Sequence, residues 1–92
     1  DGGVIRLRVP AMTEERRKDL VKQMGKRAEE ARVEIRNVRR DEQELVKKAE
    51  KAKEIGEDDA RRQLEALQKL TDGKIAEIDK LTAAKEREVL EG

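Results

Sequence analysis

Apolar residues recur at steps of three and four between residues 13 and 53. The positions that share this face are Met24, Ala28, Ala31, Ile35, Val38, Leu45, Ala49 and Ala52. Glu42 fills the one slot of the series that is not apolar. This heptad-like spacing predicts one long helix whose stripe packs against another helix. Thr13 can cap its start, where Glu14 and Glu15 suit the positive end of the helix dipole.

A second apolar stripe follows an acidic turn at residues 54–59. Its positions are Ala60, Leu64, Leu67, Leu70, Thr71, Ile75, Ile78, Leu81 and Val89. They predict a helix from about residue 57 to residue 91, which Gly73 could interrupt. In the turn, Gly56 can end one helix or begin the next. A short loop between two long helices predicts an antiparallel hairpin.

The second stripe is wider than one partner helix requires, because Leu70 and Ile75 flank it on opposite sides. A third helix would cover that width, which indicates a piece of a longer protein. The missing initial Met also leads us to expect that Asp1 lies inside a longer chain. Residues 4–9 read Val-Ile-Arg-Leu-Arg-Val, in which apolar and basic residues alternate from Ile5 onward, a strand pattern that Pro10 ends. We therefore expect an extended segment over residues 1–12 and the hairpin over residues 13–92.

The composition removes whole classes of chemistry. Charged residues make up 49% of the 92 residues, and Cys, His, Ser and aromatic residues are absent. Imidazole bases, thiolates and the usual zinc ligands are therefore missing, so we expect no enzyme, catalytic residue, metal site or cofactor. Absent Cys fits a reducing cytoplasm, and no apolar run approaches the roughly 18 residues of a membrane span.

The charge is distributed unevenly, and arginines concentrate it. Residues 1–40 hold 12 Lys/Arg against 7 Asp/Glu, a net of +5, whereas residues 41–92 hold 11 against 15, a net of −4. Arg32, Arg36, Arg39 and Arg40 fall within an arc of about 100° on the first helix, with Arg17 farther along it. Such a strip predicts phosphate binding, because guanidinium groups stay charged and offer forked donors. The absence of aromatic stacking platforms favours structured RNA or another polyanion, held by its backbone.

An ordinary solvated face of ion pairs is the alternative explanation of the strip. Three of the arginines have an acid three or four residues away that can pair with them: Glu29 for Arg32, Glu42 for Arg39 and Glu44 for Arg40. Arg36 has no acid at those spacings. Ion pairing thus explains part of the strip, and a structural or interaction coiled-coil hairpin without RNA binding stays open as the second hypothesis.

Four stretches resemble the ribosome recycling factor family, in the family's order. Residues 9–18 read Val-Pro-Ala-Met-Thr-Glu-Glu-Arg-Arg-Lys, and residues 32–41 read Arg-Val-Glu-Ile-Arg-Asn-Val-Arg-Arg-Asp. Residues 56–59 read Gly-Glu-Asp-Asp where the family usually has Ser-Glu-Asp, and residues 68–72 read Gln-Lys-Leu-Thr-Asp. Gly56 is the departure from this pattern, and it keeps helix capping possible.

The resemblance implies more than the residues alone do. It implies two of the three helices of a three-helix bundle, with the bundle's first helix and an inserted β-rich domain missing. Residues 4–9 would be the strand that leads from that domain back to the bundle. It implies a non-enzymatic, cytoplasmic translation factor that lies on large-subunit ribosomal RNA. With elongation factor G and GTP hydrolysis, such a factor splits post-termination ribosomes, with no DNA or membrane partner. It marks residues 36–40, and Arg39 above all, as the ribosome contact.

Overall fold

Two long helices form the part of the chain that the structure describes, residues 13–91 of a computed structural model. Helix α1 spans Glu14–Lys51 and helix α2 spans Glu57–Glu91. Contacts join the start of α1 to the end of α2, so the two helices run antiparallel. The all-α hairpin expected from the sequence is confirmed, and α2 continues through Gly73. The strand predicted at residues 4–9 and the segment over residues 1–12 lie outside the described residues.

The first helix begins at the predicted cap. The hydroxyl of Thr13 accepts a hydrogen bond from the backbone N–H of Arg16 at 3.0 Å. Glu14 and Glu15 occupy the first turn of α1, and Lys48 and Lys51 occupy the last. Acids at the start and bases at the end both complement the helix dipole. At 38 residues, α1 is about 57 Å long.

The turn between the helices comes two residues earlier than the sequence indicates. Helix α1 ends at Lys51, and Lys53 adopts the left-handed conformation with φ 63°. The N–H of Lys53 donates to the carbonyl of Glu50 at 3.0 Å, and that of Glu54 donates to the carbonyl of Ala49 at 2.9 Å. This pair of bonds is a Schellman motif, built here without glycine. Gly56 instead begins α2, where its carbonyl accepts the N–H of Ala60.

The seam between the helices follows the prediction in its first half and leaves it in the second. Ala28 is buried and Ile35 is half-buried, as expected. Val38 and Leu45, also assigned to the seam, are 56% and 58% exposed. On α2, Leu81 is likewise wrongly placed in the seam, since it is 62% exposed. The half-buried positions that replace them on α1 are Arg39, Gln43 and Val46.

An 11-residue period accounts for this drift. Covered positions on α1 include Arg17, Ala28, Arg39 and Glu50, and those on α2 include Ala60, Thr71 and Thr82. Eleven residues make three turns at 3.67 residues per turn, close to the 3.6 of a straight helix, whereas a heptad requires a supercoil. The two helices therefore meet along a nearly straight line. The heptad reading placed Val38 where Arg39 lies.

The described hairpin has a thin core. Its buried residues are Ala28, Ala60 and Thr71, and the hydroxyl of Thr71 donates to the carbonyl of Leu67 within α2. Beside the seam lies a groove of about 380 Å³, lined by Ala31, Glu34, Ile35, Val38, Arg39, Leu67, Leu70, Thr71 and Lys74. Leu70 is 60% exposed, as expected of a stripe wider than α1 can cover, whereas Ile75 on the other flank is half-buried. No helix within residues 13–91 is long and apolar enough to cross a lipid bilayer.

Replacing Lys53 with Gly should stabilise the hairpin. A side chain in the left-handed region costs roughly 1–2 kcal/mol, and the greater flexibility of Gly in the unfolded chain returns part of that gain. We expect the free energy of unfolding to rise by about 0.5–1 kcal/mol, measured by chemical denaturation followed by circular dichroism. The control is Lys51→Gly, inside the last helical turn, which should destabilise the hairpin. A loss of stability in Lys53→Gly would contradict the turn geometry.

Candidate nucleic-acid interface

Arg32 bridges the two helices. Its Nε donates to Oδ1 of Asp79 on α2 at 2.7 Å, and its Nη1 donates to Oε1 of Glu29 at 2.9 Å. These hydrogen bonds, first to Asp79 and then to Glu29, raise the pKa of Arg32 above its ordinary value. The guanidinium therefore stays charged, with three of its five N–H groups left for other acceptors. Within residues 13–91, this is the ion pair that joins α1 to α2.

Arg36 and Arg40 point farther from the seam. Nη1 of Arg36 lies 3.9 Å from Oε2 of Glu29, seven residues earlier and two turns away on the same face. Arg40 is exposed, and its Nη1 donates to the side-chain oxygen of Asn37 at 3.3 Å. The ion pair considered between Arg40 and Glu44 does not form in the structure. Both guanidinium groups thus keep most of their donors accessible.

Arg39 occupies a different place from its neighbours. It is half-buried at the seam and borders the groove beside Leu67 and Thr71. Its Nε is buried with no hydrogen-bond partner among residues 13–91, and the ion pair considered with Glu42 does not form. The stem of Arg39 is therefore part of the helix packing. The Arg39 guanidinium lies between the groove and the side of α1 that carries Arg36 and Arg40.

Arg17 stands apart from the other four arginines. Its Nη1 donates to the carbonyl of Leu90 in the last turn of α2 at 3.3 Å. That turn has no basic residue of its own, so Arg17 supplies a cation to the negative end of the helix dipole. Fifteen residues separate Arg17 from Arg32, or about 22 Å along the helix. The structure therefore gives Arg17 a structural contact and does not bring it to the cluster.

Arg39 borders the apolar groove, whereas Arg32, Arg36 and Arg40 do not. Arg32 bridges the seam to Asp79, Arg36 and Arg40 form no hydrogen bond or ion pair with α2 within residues 13–91, and Val38 and Leu70 line the groove. On α2, the acids that open the helix are used locally. Arg61 pairs with Asp58 at 2.8 Å, and Arg62 pairs with Asp59.

Sequence reasoning found the arginines and missed the residues that hold them. Asp79 lies on the other helix. Its position opposite Arg32 could be predicted only from the register of the two helices, which the sequence does not show. Glu29 was recognised for Arg32 alone, because its reach to Arg36 spans seven residues. That spacing places two residues on one face two turns apart, so a search wider than three or four residues would have found it. Among the described residues, no cluster of acids could hold a metal ion.

The described residues thus form a two-helix hairpin whose first helix carries four arginines between residues 32 and 40. The ribosome recycling factor family model matches residues 1–90. The ribosome-recycling factors of Symbiobacterium thermophilum and Brevibacillus brevis are each 57% identical to this chain over 91 residues, and that of Lactococcus lactis subsp. cremoris is 54% identical. Each alignment covers 99% of this chain and 49% of the relative. The chain belongs to the ribosome recycling factor family and spans about half the length of these relatives.

Replacing Arg17 with Met should loosen the end of α2. Met keeps much of the apolar stem but removes the cation that caps the carbonyl of Leu90. A cation at a helix C-terminus contributes about 0.3–1 kcal/mol, so amide hydrogen exchange at residues 88–91 should speed up about two- to fivefold. Exchange at residues 64–71, far along the hairpin, serves as the internal control. Unchanged exchange at residues 88–91 would show that the contact does not stabilise the helix end.

Proposed function

We propose that this chain binds large-subunit ribosomal RNA through Arg32, Arg36, Arg39 and Arg40, with Arg17 as a supporting contact. The observation that carries the proposal is the cluster on one side of a rigid hairpin, in a chain of the ribosome recycling factor family. Arg36 and Arg40 supply accessible donors, and Arg32 and Arg39 lie closer to α2. The cluster lies within about 12 Å along α1, so it can contact several phosphates together.

Phosphate contacts give this kind of binding its strength and its salt dependence. Guanidinium groups bind phosphate oxygens with two parallel hydrogen bonds and remain charged throughout the physiological range. Such contacts position a protein on nucleic acid and carry little sequence information. Without aromatic side chains, the chain has no platform on which splayed bases could stack. Recognition then follows the shape of folded RNA, which suits the ribosome.

The process in which the intact protein takes part is the recycling of post-termination ribosomes. We propose that the protein acts with elongation factor G, whose GTP hydrolysis drives the splitting of the ribosome into subunits in the cytoplasm. The chain itself supplies no catalytic group in this scheme. Its contribution is a rigid wedge of two helices, anchored on RNA by the arginine side.

An interaction hairpin without RNA binding is the second candidate. The groove beside the seam favours it, because exposed Val38 and Leu70 offer apolar surface to a helical partner. Salt separates the two functions. Binding through three or four phosphates should weaken steeply as salt rises, whereas packing of an apolar helix in the groove should change little.

Replacing Arg36 or Arg39 with Ala should weaken binding to purified large ribosomal subunits. Each substitution removes a charge-assisted phosphate contact, so we expect a loss of about 10- to 150-fold in affinity. The measurement is co-sedimentation at fixed salt over a range of subunit concentrations. Lys80→Ala and Lys85→Ala are the matched controls, since each also removes one positive charge, but from α2. Small and equal effects at all four positions would contradict the proposed interface.

The orientation of the bound hairpin can be tested with a tethered cleavage reagent. The chain has no Cys, so Val33→Cys and Glu65→Cys each provide one attachment site for a hydroxyl-radical source. Val33 is 44% exposed beside Arg32 and Arg36, whereas Glu65 is exposed on α2. We expect strong cleavage of ribosomal RNA from residue 33 and weak cleavage from residue 65. The reverse pattern would assign the RNA to the other helix.

A further inference from the structure

A chain of four charged side chains runs through the arginine cluster. Asp79 accepts a hydrogen bond from Arg32, Arg32 donates to Glu29, and the second oxygen of Glu29 faces Arg36. Two acids and two arginines give this network a net charge of zero. The densest basic region of the sequence is therefore neutralised in part by its own carboxylates. A polyanion that binds here must compete with them.

The ion pairs of this network differ in how easily they can open. Arg32 is held at 2.7 Å and 2.9 Å, and its side chain is 21% exposed. Arg36 lies 3.9 Å from Glu29, beyond hydrogen-bond distance, and its side chain is 44% exposed. The bond of Arg32 to Asp79 also joins the two helices, so breaking it disturbs the seam. The contact between Glu29 and Arg36 can open without any change in the helix packing.

We propose that Glu29 is a carboxylate that ribosomal RNA displaces from Arg36, while Asp79 keeps Arg32 in the helix interface. The inference rests on the proposed RNA binding and assigns separate roles within that site. Arg36, Arg39 and Arg40 bind phosphates. Arg32 stabilises the hairpin through Asp79 and contacts RNA only with the N–H groups that its two hydrogen bonds leave free. Glu29 faces Arg36 in the unbound state, so RNA must displace this carboxylate to contact that side of the guanidinium.

Glu29→Gln tests this role, with Glu30→Gln as the matched control. Both substitutions remove one negative charge at adjacent positions of α1, and Gln has nearly the helix propensity of Glu. Glu30 makes no ion pair within residues 13–91. We expect Glu29→Gln to tighten binding to large ribosomal subunits about two- to fivefold, the value of one exposed ion pair, and Glu30→Gln to change it less than about 1.5-fold. Equal effects of the two substitutions would overturn the proposal.

A double-mutant cycle ties the effect to Arg36. In the Arg36→Ala background, Glu29→Gln should lose its advantage over Glu30→Gln, because Glu29 then has no contact with residue 36 to release. An advantage that persists without Arg36 would show that Glu29 acts through Arg32 or through general charge, and either result overturns the proposed displacement of Glu29 from Arg36. Failure of the unsubstituted chain to bind large subunits would overturn the proposed function itself. The two failures are thus distinguishable.

Nuclear magnetic resonance follows the displacement without any substitution that could disturb folding. The Nε–H signals of the arginines can be monitored while a ribosomal RNA fragment of the large subunit is added. We expect the signal of Arg36 to shift and that of Arg32 to stay in place, since Asp79 retains it. A shift of Arg32 as large as that of Arg36 would show that RNA also breaks the bond between the helices.

Discussion

Contact between α1 and α2 along a single nearly straight line is the constraint on which the molecule depends. Two helices meet along one line, so each leaves most of its circumference free. The buried residues at that line, Ala28, Ala60 and Thr71, all have small side chains, and the larger apolar residues there are only half-buried. Little apolar area is removed from water, and the hairpin's stability rests on many weak terms.

The sequence was sufficient for the architecture. Two apolar stripes, the hydroxyl of Thr13 and the acidic turn specify two helices and an antiparallel hairpin, because each is a local signal with a local cause. The arginine cluster was also visible, since one face of a helix follows from its 3.6-residue period. These features do not depend on where the second helix lies.

The seam residues, the bond between the helices and the turn could not be predicted, because they depend on how the two helices pair. Val38 and Leu45 fit a heptad as well as Ile35 does, and only the straight contact line shows that Arg39 takes the seam instead. The bond between Arg32 and Asp79 requires the register of α1 against α2. The left-handed Lys53 could not be predicted, because the turn contains a Gly that would suit that conformation better. In each case, the deciding contact joins residues that are distant in sequence.

The antiparallel register also bears on how the hairpin forms. Contacts pair residues symmetrically about the turn, so those near Lys53 close short loops, and the contact of Arg17 with Leu90 closes the longest. Loop closure costs more entropy as the loop grows, which favours pairing that starts beside the turn and advances toward the two ends. In this order, Asp79 reaches Arg32 before Leu90 reaches Arg17 at the far end of the hairpin. During synthesis on a ribosome, α1 emerges first and must wait for α2 before Arg32 finds Asp79.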